Sequence, residues 1–367
     1  MCGFFIEFKK KSFNHDIENF NNSSKLMLHR GDTPVKSYFD KNFRSNFFRL
    51  KIIDLSNKGN QPMFDHSKRY LINFNGEIYN AKKLRQYLPE IKLKSNSDTE
   101  ILVNLFSKYN FKCLKLIEGM FSFVIYDKLE NKCFVARDRF GIKPLYFSEN
   151  QNSYVLSSEI KPILKYNKKN NLFNLKTLGN LLVDGYLDHG EDTFFKNISS
   201  IESGHYIVLT KYKKKKFKYW DLSKKLFNYK STNSDKLKTL LNESLNQHLI
   251  SDRKIGLFLS GGTDSNFLAT YFSKNLKYQM TTYTYDFISK KFGESEAAKK
   301  SCKYLGLKNK IYKLKPADVV DNMSDLTETL ESPFTSMRLF AVNSLYKLAK
   351  EDNLKVIVEG HGGDEMF

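Results

Sequence analysis

The sequence predicts two domains of different class: a strand-rich α+β domain over residues 1–222, and an α/β domain over residues 233–367 built on a doubly wound parallel sheet. Three observations predict this. Short runs that alternate apolar and polar residues, punctuated by turn residues, fill the first part. Strand-sized and helix-sized segments alternate in the second, the pattern of strands joined by crossover helices. A glycine-rich turn at 260–265 sits between an apolar run and a helix start, where open parallel sheets hold ligands.

In chain order, residues 69–74 and 120–126 alternate as half-buried strands do, and Asp127-Lys128-Leu129-Glu130-Asn131 reads as a turn. Ser97-Asp98-Thr99-Glu100 has the form of a capping box, and Ile101, Leu102, Leu105 and Phe106 follow at helical spacing. Lys213-Lys214-Lys215-Lys216 lies between apolar residues 206–209 and 217–220 and reads as the turn of a hairpin. The polar stretch 229–235 marks the boundary. Beyond it strands are predicted at 254–259, 279–285, 310–314 and 354–359, with helices at 295–305 and 338–352 among them. No internal repeat is visible.

Composition narrows the class of function. With 41% hydrophobic residues and 31 Phe in 367 residues, the chain can bury a sizeable core, which argues against disorder. No apolar run approaches the ~18 residues of a membrane span, and the first residues lack the basic start and apolar core of a signal peptide, so a cytoplasmic protein is expected. Cys2, Cys113, Cys133 and Cys302 are scattered, which argues against a disulfide scaffold or a zinc site. The formal charge of +20 is mostly lysine spread along the chain, without an aromatic–basic motif, so no nucleic-acid partner is expected.

Cys2 becomes a terminal residue if Met1 is removed, and a terminal Cys carries both a nucleophile and a base, its own α-amine. Taken singly it is more readily a small hydrophobe. Asn75-Gly76 is likewise an ordinary hairpin dipeptide when taken alone, Asp98 a first-turn helix acid and Arg49 a surface charge. The series in which they stand decides between these readings: Cys2-Gly3, His29-Arg30-Gly31-Asp32, Arg49 to Asp54, Gln61-Pro62-Met63, Phe74 to Asn80, Ser97 to Glu100, Glu118 to Phe121, Ala136 to Tyr146 and Ser157 to Lys161. In this order and spacing it resembles the class II glutamine amidotransferase domain, whose fold is an N-terminal-nucleophile hydrolase β-sandwich with flanking helices. The resemblance implies that Cys2 attacks glutamine, with Asn75 and Gly76 donating to the oxyanion. It implies further that Arg49 takes the glutamine α-carboxylate, and Asp98 with nearby Glu77 the α-ammonium. Two departures concern the loop over glutamine: Asp32 stands where the family has Pro, and Ser45-Asn46-Phe47-Phe48 where it has Gly-His.

In the second part, apolar residues 255–259 run into Ser260-Gly261-Gly262-Thr263-Asp264-Ser265 and then a helix start. Backbone N–H groups at such a turn suit phosphate, yet the Gly-Lys-Ser/Thr ending of a Walker loop is missing. The hexapeptide resembles the PP-loop of ATP pyrophosphatases. With Gly293 to Ala298, Glu331-Ser332-Pro333 and Glu359 to Phe367, the whole chain resembles the glutamine-hydrolysing asparagine synthase family. ATP is then expected at Leu259, Ser260, Gly261, Gly262, Thr263, Asp264 and Ser265, and Mg²⁺ at Asp264 and Asp364, since hard carboxylate oxygens suit that ion. For Asp364 a helix-capping acid is the alternative.

The resemblance implies an enzyme that releases ammonia from glutamine and uses ATP to convert an acceptor carboxylate into an amide. Aspartate is the family's acceptor. Glu359 and His361 fall on the acceptor side, where the asparagine-forming pattern is Ser-Gly-Glu-Gly, so His361 keeps open another carboxylate, such as a sugar acid or a secondary metabolite. A glutamine- or nucleotide-binding protein without activity is the non-enzymatic alternative. The expected partners are glutamine, ATP and the acceptor, with no membrane; a homodimer is left open. The chain ends inside a motif that family members continue, which reads as a truncated C-terminus.

Overall fold

A computed structural model describes residues 1–10, 16–167, 172–187, 190–226, 233–288, 295–334 and 336–363. Asp364, the pair Gly293-Glu294 and most of the polar boundary stretch lie outside the described residues. The chain forms two compact units, residues 1–247 and 248–367. No helix among the described residues is long and apolar enough to cross a membrane.

The strands of the first unit, in chain order, are β1 (Gly3–Lys9), β2 (Lys36–Phe39), β3 (Phe43–Phe48), β4 (Met63–Phe64), β5 (Tyr70–Ile78), β6 (Gly119–Asp127), β7 (Lys132–Arg137), β8 (Tyr146–Glu149), β9 (Ser153–Ser157), β10 (Ser199–Ser200), β11 (His205–Leu209) and β12 (Lys214–Lys218). Among the described residues they make two antiparallel sheets, ordered β10-β8-β9-β1-β3-β2 and β12-β11-β7-β6-β5-β4.

Alternation decides which side chains meet. Phe4, Ile6 and Phe8 of β1 and Phe43 and Phe47 of β3 share a core with Leu71, Val124, Tyr126 and Val135 of the other sheet. The opposite face of that other sheet carries Ile72, Phe74, Phe121, Phe123 and Ile125 against the helix Asp98–Tyr109. The opposite face of the first sheet packs Phe5 and Val155 against helices Ile17–Ser24 and Ile160–Asn167. Helix, sheet, sheet and helix therefore stack as the expected sandwich.

Two local expectations change. Lys214, Lys215 and Lys216 lie in β12 itself, and Thr210 to Lys213 make the turn; charged residues suit an edge strand because they discourage further pairing. Helix Asp98–Tyr109 is capped by the Ser97 hydroxyl, which accepts from Thr99 N at 3.2 Å. Glu100 does not close a capping box but accepts from the backbone N–H groups of Lys94 and Ser95 at 2.8 and 2.7 Å.

The second unit holds β13 (Ile255–Phe258), β14 (Thr281–Phe287), β15 (Lys308–Leu314) and β16 (Val356–Val358), all parallel, in the order β15-β14-β13-β16. Tyr283 of β14 packs against Leu345 and Ala349 of helix Arg338–Glu351. Thr282, pointing to the other face, meets Cys302 of helix Ser295–Leu305 at 3.2 Å. Helices cover both faces, so the sheet is doubly wound as predicted.

Candidate functional sites

Cys2 stands immediately before β1, half-buried against the inter-sheet core. Its sulfur is held by one residue: Leu50 N donates to Sγ at 3.3 Å, and Sγ donates to Leu50 O at 3.5 Å. Burial pushes the thiol up, while the Leu50 amide, the terminal amine and Arg49 pull it down; the net direction is up. Such a thiol needs a base to become a nucleophile. Close by, burial and then Arg30 lower the Met1 amine to about 6, so it is neutral at pH 7.

Asn75 and Gly76 are not a turn. They sit inside β5, opposite Ser122 and Phe121. By alternation Asn75 faces the inter-sheet core, the side on which Cys2 packs; it is 1% exposed and its Nδ2 has no hydrogen-bond partner among the described residues. A buried donor without a partner costs about 1–3 kcal/mol, which native proteins retain where a ligand completes the bond.

The Gly76 N–H is placed by its neighbours. Phe121 exchanges both its backbone groups with Asp138, donating to Oδ2 at 3.1 Å and accepting from Asp138 N at 2.8 Å. Gly76 and Phe121 are therefore a pair that does not hydrogen-bond, and the Gly76 N–H points to the other edge of β5. On that edge Phe74 N donates to Gln61 Oε1 at 2.7 Å and Ile78 N donates to Asp98 Oδ2 at 2.9 Å. Between them the Gly76 N–H faces the same edge with no partner among the described residues. A side chain here would put Cβ 2.3 Å from Met120 O and 2.7 Å from Phe121 Cα, so glycine is required by close backbone approach.

Asp98, at the first turn of its helix, is buried. Burial raises its carboxyl to about 6 against the pull of the Ile78 and Thr99 amides. Burial raises Glu77 to about 7, with Lys143 opposing and Asp98 adding to it. Arg49 is buried and hydrogen-bonded within the protein. Its Nη1 donates to Ser56 O at 2.6 Å and Asn60 Oδ1 at 2.9 Å, and its Nη2 to Asp54 O and Ile53 O. The fork thus organises the loop 53–60, and a Cβ on Gly59 would strike Nη2 at 2.3 Å.

Three groups of this site were not singled out from the sequence. Arg30 Nε donates to Cys2 O at 3.0 Å and its Nη1 to Glu159 Oε1 at 2.7 Å. Burial pushes Glu159 up, but hydrogen bonds from His29 and Arg30 and the Arg30 charge outweigh it and hold it at about 2. Lys143 is buried, with Nζ 3.3 Å from Met1 Sδ. Each lay within a quoted motif, but nothing local distinguished a buried charge from an exposed one.

In the second unit, β13 feeds the loop 259–262 and helix Thr263–Thr270, with Gly262 at the cap. Ser260 Oγ accepts from Gly262 N at 3.2 Å and meets Ser265 Oγ at 3.1 Å, and Asn266 Nδ2 holds Gly261 O at 2.8 Å. Gly261 takes φ +89°, where a side chain is strained. A cavity of about 430 Å³ opens there, lined by Leu259, Ser260, Gly262, Thr263, Asp264, Ser265, Glu359 and His361, so of the expected residues that are described the structure gathers all but Gly261. The loop after β16 crosses directly over Asp264: a Cβ on Gly363 would lie 2.0 Å from Asp264 Oδ2. His361 Nδ1 pairs with Glu359 Oε1 at 3.1 Å. Arg338 and Tyr285 also line the cavity and were not foreseen. Among the described residues no three His, Cys, Asp or Glu side chains form a metal cluster.

The family model for the glutamine amidotransferase domain matches residues 1–220. The chain belongs to that family. A second model, asparagine synthase, matches residues 236–367, so the chain carries a glutamine amidotransferase part followed by an asparagine synthase part. Asparagine synthetase [glutamine-hydrolyzing] 2 of Bacillus subtilis is 34% identical over 92% of this chain and 47% of its own. Putative asparagine synthetase [glutamine-hydrolyzing] 2 of Methanocaldococcus jannaschii is 29% identical over 100% of this chain and 75% of its own. Amidase chry2 of Gibberella zeae is 27% identical over 96% and 55%. The chain thus spans about half the length of the first of these relatives.

Proposed function

We propose that this chain hydrolyses glutamine at Cys2 and contributes the phosphate loop of an ATP-dependent amide-forming site. The observation that carries the glutaminase reading is the pair of unpartnered donors, Asn75 Nδ2 and Gly76 N–H, on the strand facing the thiol. With Met1 removed, the Cys2 amine takes the thiol proton and Sγ attacks the carboxamide carbon. The carbonyl oxygen becomes an oxyanion received by Asn75 and Gly76, ammonia leaves with the proton, and water cleaves the thioester to glutamate. Asp98 and Glu77 face the substrate ammonium, each ionising as it gains that partner. Arg49 holds the loop 53–60 and offers its positive charge to the α-carboxylate.

In the second unit the 259–265 loop and the helix N-terminus behind it suit the phosphates of ATP. Asp264 fits Mg²⁺, which characteristically binds through one or two carboxylates, substrate phosphates and water; the ion would neutralise the phosphates. The acceptor carboxylate, adenylated with release of pyrophosphate, would then take the ammonia and release AMP. Aspartate is the acceptor that the asparagine synthetase relatives favour. The His361–Glu359 pair on the cavity wall, together with the likeness to an amidase, favours a second reading in which another carboxylate is used. A screen of carboxylates with the protein, scored by glutamine-dependent pyrophosphate release, separates the two. Aspartate alone giving a signal supports the first, and its failure beside another acid supports the second.

A further inference from the structure

The terminal residue that the proposed reaction uses is tied to the chain on one side only, and chain termini fray unless something holds them. Two anchors hold Cys2. Leu50 brackets its sulfur, and Arg30 Nε donates to its carbonyl oxygen at 3.0 Å. The Arg30 side chain lies across Gly3 to do so: a Cβ on Gly3 would meet Arg30 Cδ at 2.7 Å. With the sulfur and the carbonyl oxygen both fixed, the third substituent on Cys2 Cα, the amine, is placed as well.

Arg30 is itself held by Glu159, just after β9. Arg30 Nη1 donates to Glu159 Oε1 at 2.7 Å, and both side chains are 9% exposed. The same oxygen lies 2.8 Å from His29 Nε2, and Oε2 lies 3.0 Å from Lys161 Nζ. The preceding residue registers this segment to the start of β1: Ser158 Oγ accepts from Phe4 N at 3.2 Å, and Ser158 N donates to Phe4 O at 3.1 Å. A buried ion pair often adds no more stability than apolar residues of the same volume. What the carboxylate supplies here is direction, drawing the guanidinium to the spot from which Nε meets Cys2 O.

We infer that Glu159 is a positioning residue of the glutaminase site, acting through Arg30 to fix the main chain of Cys2 and with it the nucleophile. The inference rests on the reading of Cys2 as the glutaminase nucleophile. Glu159 pairs with His29, Arg30 and Lys161, none of them assigned to glutamine, so its loss should cost turnover and spare binding. Arg30 spans the gap between Glu159 and Cys2, so reach matters more than charge. Glu159→Asp keeps the charge but is one methylene short, and an Arg30 that followed it would draw Nε off the Cys2 carbonyl. Glu159→Gln gives up the charge and keeps an acceptor at the same reach.

The test is kcat and KM for glutamine hydrolysis in the wild type, Glu159→Asp and Glu159→Gln, each with Arg30 intact and with Arg30→Met, alongside thermal unfolding of every preparation. Glu159→Asp should lower kcat about tenfold or more with KM within about twofold, because a small misplacement of a reacting group is costly to the rate. Glu159→Gln, whose neutral hydrogen bond is weaker but in place, should stay within about threefold of wild type. With Arg30→Met kcat is already low, and Asp and Gln at 159 should then be equal, since residues acting as one unit do not add. A kcat for Glu159→Asp equal to wild type, a Gln variant slower than the Asp variant, or a difference between them that persists without Arg30 overturns the inference. A loss of kcat that follows a matching loss of thermal stability assigns Glu159 to the fold and overturns it too. A wild type that hydrolyses no glutamine overturns the glutaminase reading instead.

Discussion

Replacing Asn75 with Ala tests whether the orphaned amide is there for the transition state. In the free protein Asn75 Nδ2 makes no hydrogen bond among the described residues, so truncation breaks none on that nitrogen and removes a donor whose burial costs about 1–3 kcal/mol. Against that gain stands the small cavity left between the sheets, of similar cost. The two offset, and stability should change by about 1 kcal/mol or less. Catalysis should not be spared. A donor aimed at a developing oxyanion contributes about 2.7–4 kcal/mol, so kcat should fall by about 10²–10³ with KM little changed. The assay is initial-rate glutamate release across glutamine concentrations, with thermal unfolding of the same preparation. A kcat within tenfold of wild type refutes the oxyanion role. A loss of activity that follows a matching loss of stability assigns Asn75 to the fold instead.

Four further outcomes follow. Gly76→Ala should fold poorly, because its Cβ would meet two backbone atoms of β6 within 2.7 Å; soluble, normally stable protein contradicts the close approach. Glu77 is raised from 4.5 to about 7, so its contribution to stability is full below 4.5 and lost as pH rises through 7. Glu77→Gln should therefore be more stable than wild type at pH 8 by on the order of 2 kcal/mol, and equally stable at pH 4; equal melting at pH 8 refutes the burial argument. Arg49→Lys keeps the charge but cannot span Ser56 O, Asn60 Oδ1 and Asp54 O, so KM for glutamine should rise about tenfold with kcat less affected; an unchanged KM removes Arg49 from glutamine binding. Burial raises Asp98 to about 6, and its ionised form attracts the substrate ammonium, so KM should rise as pH falls through 6; Asp98→Asn should remove that part of the dependence and leave the part set by Glu77, and a KM flat in the wild type contradicts it.

Much of the fold was legible because patterning there is local. The alternation at 69–74 and 120–126 marks β5 and β6, and helix Ser295–Leu305 falls where its periodicity placed it. Asn75-Gly76 taken alone has the composition of a hairpin turn, but the motif series set that reading aside, and the pair lies inside β5, where β6 comes too close for a side chain at 76. The two errors share a cause in tertiary context. Lys214 to Lys216 resemble a turn by charge, but β12 is an edge strand whose exposed positions tolerate lysine. Glu100 fits the capping-box formula and is drawn off by the backbone of Lys94 and Ser95. At the site, residue types pointed to the chemistry while burial did not show. Lys143 reads as one lysine of many, because what encloses it comes from β5, the N-terminus and the Asp138 turn.

The central claim is that the terminal Cys2 of this chain hydrolyses glutamine. One measurement meets it directly: glutamate release from wild type and Cys2→Ala, with mass spectrometry of the N-terminal peptide after exposure to an electrophilic glutamine analogue. Wild type should release glutamate, begin at Cys2 and carry the adduct on that residue, and Cys2→Ala should do neither. Glutamate release undiminished in Cys2→Ala, or an adduct on another residue of an active wild type, would contradict the account.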